Sequence, residues 1–152
     1  MHRRILALLA ALAMLGAACN GGGGAPPETT AAAGGQQFAV QLSGAEEAPN
    51  PGDEDGTGSA TITLDAEAGE VCFELTVEGI EPASAAHIHQ AAAGTAGPVV
   101  VPLEPAPAEG SSNGCVSADP AVIAEIAGDP AGFYVNVHNA EFPDGAVRGQ
   151  LA

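Results

Sequence analysis

From Phe38 onward, apolar and polar residues alternate with a period of two. Phe38, Val40 and Leu42 share one side of an extended segment, and Ala60, Ile62 and Leu64 share one side of another, with Ser59, Thr61 and Thr63 opposite. Val71, Phe73, Leu75 and Val77 give a third apolar face, opposed by Cys72, Glu74, Thr76 and Glu78. Successive side chains of a strand point to opposite faces, so each segment predicts a strand buried on one side. Further strands are expected at residues 85–90, 99–103, 133–139 and 146–151. The last two are joined through Pro143, Asp144 and Gly145, turn residues that would fold them into a hairpin. One helix is expected where Asp119 can cap the start, Pro120 suits the first turn, Val122, Ile123 and Ile126 supply apolar contacts and Gly128 ends the run. Seven or so short strands and one short helix predict an all-β domain: an antiparallel, Greek-key-like β-sandwich or barrel.

The N-terminal stretch follows different rules. His2, Arg3 and Arg4 precede an apolar run from Ile5 to Leu15, and Gly16, Ala17, Ala18 and Cys19 close it. That is the order of an export signal, and a run of about ten apolar residues falls short of the roughly 20 needed to span a bilayer as a helix. The small-small-Cys ending resembles the lipobox of bacterial lipoproteins, with Gly16 where an aliphatic residue is usual. The resemblance implies lipidation of Cys19 and cleavage before it. Residues 1–18 are thus read as a signal peptide and 19–36, rich in Gly, Pro, Thr and Ala, as a flexible linker. The remaining 37–152, about 115 residues, suffice for one domain with a modest core. The expected location is the cell envelope, outside the cytoplasm and lipid-anchored.

Charge sharpens this picture. Removal of the signal leaves Arg148 as the one Lys or Arg against 19 acidic residues, a formal charge of −18. Such a surface repels phosphate backbones, which excludes nucleic acid as a partner, and it is repelled by anionic lipid, which suits a domain held off the membrane by a spacer. Cys72 and Cys115 are the two cysteines left once Cys19 is assigned to lipid, and in an exported protein they are expected to pair.

Five segments place the domain in a family. Phe38-Ala-Val-Gln-Leu-Ser-Gly-Ala-Glu-Glu-Ala-Pro49, Ala86-His-Ile-His-Gln90, Gly97-Pro-Val-Val100, Tyr134-Val-Asn-Val-His138 and Gly145-Ala-Val-Arg-Gly-Gln-Leu151 together resemble the CHRD domain. That domain is named for its occurrence in chordin and is also found in bacterial exported proteins. Ala146 and Asn139 depart from the family pattern, which often has an acidic residue and Thr at these places. The first departure removes one carboxylate partner for Arg148. The resemblance implies a β-sandwich or barrel and names the module rather than an activity.

The candidate chemistry lies in three histidines. His87 and His89 point to the same side of their strand, with Ile88 turned to the apolar layer, and His138 lies on the side of Tyr134 and Asn136. One reading is polar packing, with the rings hydrogen-bonded to backbone and neighbouring side chains. The other is a metal site, because a His-x-His pair plus a third neutral imidazole suits copper or zinc. The set also resembles part of the copper site of Cu/Zn superoxide dismutases, where His-x-His on one strand meets a later Val-His on another. The chain after residue 18 holds no fourth histidine to bridge a second metal and no recognisable zinc loop, which counts against dismutase activity.

Arg148 is expected in a structural ion pair with Glu46 or Glu47, closing the first strand onto the last. The alternative is that it draws an anion toward the histidines. Catalytic signatures are lacking: no serine sits in a Gly-x-Ser-x-Gly turn, no glycine-rich phosphate loop opens a helix, and Asp53-Glu-Asp-Gly56 lacks the ligand spacing of an EF-hand. The sequence therefore favours a membrane-tethered, non-enzymatic binding module of unidentified ligand over an enzyme. The alternative function is a copper-binding or redox protein that uses His87, His89 and His138.

Overall fold

The structure, a computed structural model, describes residues 35–152. The expected signal peptide, Cys19 and nearly all of the linker lie outside the described residues. The strands are β1 Gln36–Ser43, β2 Thr57–Asp65, β3 Glu70–Glu78, β4 Ala83–Gln90, β5 Val99–Pro102, β6 Ser111–Ser117, β7 Phe133–Asn139 and β8 Val147–Gln150, with helix α1 at Pro120–Gly128. Strand β1 begins at Gln36, which pairs with Leu64 of β2.

All eight strands form one sheet in the order β5-β4-β7-β8-β1-β2-β3-β6, antiparallel at every pairing. The sheet is nearly closed and barrel-like. Its two edges are tied by the segment after β5, where Leu103 N–H donates to Ala86 O and Gly110 O accepts from Val77 N–H, each at 2.8 Å. First and last strands meet where Ser43 pairs with Arg148. Gly149 follows, and a Cβ there would collide with the carbonyl of Gln41, so only glycine allows this approach.

The alternating positions form the core as expected: Val40, Leu42, Ile62, Leu64, Val71, Phe73 and Leu75 are buried together with Ile88, Val135 and Val137. Asp119 caps α1 by accepting from Ala121 N–H at 2.8 Å, and the helix contributes Ile123 and Ile126 to the same core. The β2–β3 turn is set by Asp65, whose Oδ1 accepts from the N–H groups of Glu67 and Ala68, while Gly69 takes φ +70°.

Strand β6 has no apolar alternation, and the periodicity did not predict it. Its residues alternate only between exposed and half-buried, because it is an edge strand held by backbone pairing to β3. Cys115 stands directly opposite Cys72 in that ladder, and the two form the expected disulfide. Their separation of 43 residues gives a loop-closure contribution of about 4 kcal/mol. We expect the Cys72→Ala, Cys115→Ala double variant to lose about 3–4 kcal/mol of unfolding free energy in chemical denaturation. A loss under about 1 kcal/mol would show that pairing with β3 alone holds the edge.

Candidate metal centre

Strands β4 and β7 lie side by side, and their register decides which side chains meet. His87 stands opposite Asn136, His89 opposite Tyr134 and Ala85 opposite His138, so His138 is diagonal to His87 on the same face. All three imidazoles project away from the apolar core, as strand parity requires. Their ligand atoms lie within 4.8 Å of one another. His87 Nδ1 and His138 Nε2 are 3.1 Å apart.

Two backbone carbonyls set the tautomers. His89 Nδ1 is 2.9 Å from Gly97 O, and His138 Nδ1 is 3.0 Å from Pro143 O. A carbonyl only accepts, so each Nδ1 carries the proton and each neutral ring presents its Nε2 lone pair. The lone pair of His138 accepts from His87 Nδ1–H. The Nε2 of His89, a residue 8 % exposed, is buried with no hydrogen-bond partner. Burial, reinforced by the neighbouring His138 and His89, pushes the His87 imidazole down to about 4. Burial also lowers His138, against the opposing pull of the Pro143 carbonyl. Both rings are therefore neutral at neutral pH, the state in which imidazole donates to a metal.

Behind His89 stands a stack that the sequence did not reveal. The ring of Tyr134 lies parallel to His89 with centroids 4.9 Å apart, and Arg148 Cζ lies 3.4 Å from the Tyr134 centroid. Because β4 and β8 flank β7, the imidazole and the guanidinium approach the phenol from opposite sides. Arg148 is 1 % exposed. Its Nη1 donates to Thr95 O at 2.9 Å and its Nη2 to Ala92 O at 3.1 Å, so the β4–β5 loop is bonded to β8. Gln150 adds a bond to Ala91 O at 2.8 Å. The loop then delivers Gly97, which donates to the Tyr134 hydroxyl and accepts from His89.

This corrects the expected ion pair. The hydrogen bonds of Arg148 run to the carbonyls of Ala92 and Thr95 and to Gln150 Oε1, not to Glu46 or Glu47. Glu46 is exposed on the turn after β1. Glu47 is half-buried, and its carboxyl meets the space where a Cβ at Gly145 would sit, so that glycine makes room for it. It feels Arg148 as a charge rather than as a bonded partner, since the guanidinium is already occupied by the loop. Desolvation raises Glu47 from 4.5 to about 7, opposed by the charge of Arg148 and by hydrogen bonding with Asn136.

Residues 38–151, which include all three histidines and the Tyr134–Arg148 stack, match the family model of the CHRD domain. The chain belongs to the CHRD family. Neither a curated protein nor a solved structure matches it. Each of the five segments quoted for the resemblance lies within this match or, for the last, ends with it, and the CHRD segments around residues 86–90, 134–138 and 145–151 are those that converge on the histidine cluster.

The CHRD domain's buried carboxyl gives a pH-dependent prediction. In the folded chain Glu47 titrates near 7, above its ordinary 4.5, so between these values the folded state holds a proton that the unfolded state has released. Stability from this group is complete below about 4.5 and is lost as pH rises to about 7. Glu47→Gln should therefore gain in Tm relative to the parent at pH 8 compared with pH 5. The opposite slope from His87 is present in both proteins and cancels in the difference. An offset between the two Tm values that is the same at both pH values would contradict the assignment.

Proposed function

We propose that this CHRD domain is a binding module whose ligand is a borderline transition-metal ion, copper in the first place, held by His87, His89 and His138. The observation that carries the proposal is His89 Nε2: a buried lone pair with no partner, facing two other imidazoles. A buried polar atom left unpaired costs on the order of 1–3 kcal/mol, and a metal ion would remove that cost. His138 Nε2 is the second donor. The third is His87 Nδ1, whose proton moves to Nε2 of the same ring. The separation of 3.1 Å between those two atoms corresponds to an angle of about 100° at an ion bound 2.0–2.1 Å from each. The ligand atoms of all three rings lie within 4.8 Å of one another, against a span of about 4.2 Å between opposite donors on such an ion.

Three imidazoles without carboxylate or thiolate suit copper and zinc, and among divalent ions copper binds such sets most tightly. Gly97 and Pro143 act as the outer shell, fixing ring orientation through Nδ1. We place the domain outside the cytoplasm on a lipidated Cys19, supported by the charged, apolar and small-residue order of residues 1–19. Mass spectrometry of the native N-terminus should find diacylglyceryl-modified Cys19, and an unmodified first residue other than Cys19 would remove the anchor.

Titration of the purified, tag-free protein with Cu(II) should give one equivalent bound with Kd below about 1 μM. His87→Ala and His138→Ala should each weaken binding by at least about 100-fold while leaving the metal-free fold intact by circular dichroism. Binding weaker than micromolar, or unaffected by both substitutions, would leave the histidines as polar packing.

A further inference from the structure

Three donors leave a metal ion short of the four positions that a closed, structural site fills with protein atoms. Among the described residues no further His, Cys, Asp or Glu joins the cluster. The three rings all rise from one face of one sheet, from neighbouring strands β4 and β7. An ion held by them has the sheet on one side and the covering loops on the other. The open position must therefore face whatever space the loops leave.

That space is defined. His89 and His138 together line a cleft of about 330 Å³, with Tyr134, Pro49, Ala96 and Asp144 among its other walls. A second cleft, of about 430 Å³, is reached by His87 alone of the three. The first is the one that two donors share, so it is the approach to the open position. Its volume is near the lower end for a small-molecule site and far above the roughly 30 Å³ occupied by one water in the liquid.

The walls also select by charge. Asp144 is exposed at the cleft and is its one ionisable wall besides the histidines and Tyr134. Arg148, the only Lys or Arg among residues 35–152, is buried behind Tyr134 and bonded to loop carbonyls. The ion's own charge draws anions as well as neutral donors, but an anion must pass the Asp144 carboxylate with no cationic side chain to offset it, whereas a neutral donor meets proline, alanine and an aromatic ring without that opposition. We infer that this cleft delivers a small uncharged nitrogen or oxygen donor to the open position of the ion, and that it disfavours anions. The inference rests on the three-histidine reading and adds to it the class of molecule that the site admits.

The test uses the copper-loaded protein, with imidazole and azide as probes followed by electron paramagnetic resonance and visible absorption. Desalting after each titration confirms that copper stays on the protein. Imidazole should change the spectrum at concentrations at least about tenfold below those needed for azide. Asp144→Asn should tighten azide binding by about three- to tenfold with little effect on imidazole. Ala96→Trp, at an exposed position in the cleft wall, should leave copper stoichiometry and affinity unchanged and weaken the imidazole response by at least about tenfold. Copper bound normally but with a spectrum deaf to both probes overturns the inference and spares the metal site. So does an Ala96→Trp variant that responds like the parent, or an azide preference that Asp144→Asn does not alter. Failure to bind copper at all overturns both.

Discussion

Desolvating a guanidinium is among the most expensive things a small domain can do, and this one does it beside its last strand. A buried guanidinium must be met by hydrogen-bond acceptors, because all its polar groups are donors. Two loop carbonyls, the Gln150 amide oxygen and the face of Tyr134 meet it here. A phenol face adds attraction of its own for a desolvated cation. The same contacts dictate where the β4–β5 loop lies, and that loop presents Gly97 to both Tyr134 and His89. Orientation of a candidate donor therefore traces back, through two carbonyls and one ring, to the burial of a single positive charge.

A further consequence is that β7 is buried on both faces. One face carries Phe133, Val135 and Val137 into the apolar core, as period two requires. The other carries Tyr134 and Asn136, also buried, on the side where Arg148 holds the β4–β5 loop. The domain thus has an apolar centre inside the curled sheet and a thin polar layer outside β4, β7 and β8. Polar groups in that layer are confined and few have water to turn to. Glu47 responds by holding its proton to about pH 7, and His87 by refusing one until about pH 4. The opposite shifts of these two groups have the same origin: each favours its uncharged form because solvent is excluded.

How much of this was legible in the chain follows from what alternation can encode. Period two reports which side chains face a core, so the strands around Val40, Ile62, Phe73, Ile88 and Val135 could be read, as could the common side of His87, His89 and His138. It cannot report a strand whose partners are backbone atoms, which is why β6, with Asn113 and Gly114 at its centre, was missed. The expected Cys72–Cys115 pairing was the available signal, because bridged cysteines place their strands side by side. Nor can alternation say that a polar face is covered. Tyr134 and Asn136 read as outward residues, and they do point away from the apolar core, yet both are buried. The expected Arg148 ion pair failed for the same reason, since the carbonyls that displaced Glu46 and Glu47 have no side-chain signature.

The acidity of the chain bears on why such a cluster would be made of imidazoles. Nineteen carboxylates concentrate cations of every kind near the surface without choosing among them. Calcium and magnesium prefer oxygen donors, and carboxylates in the site would have made it one more place for those abundant ions to settle. Neutral imidazoles are poor ligands for them and good ligands for copper and zinc. Glu47, half-buried against Gly145, is held back from the role by its own desolvation. Attraction would then be left to the surface and discrimination to three rings whose geometry the sheet and two backbone carbonyls already set.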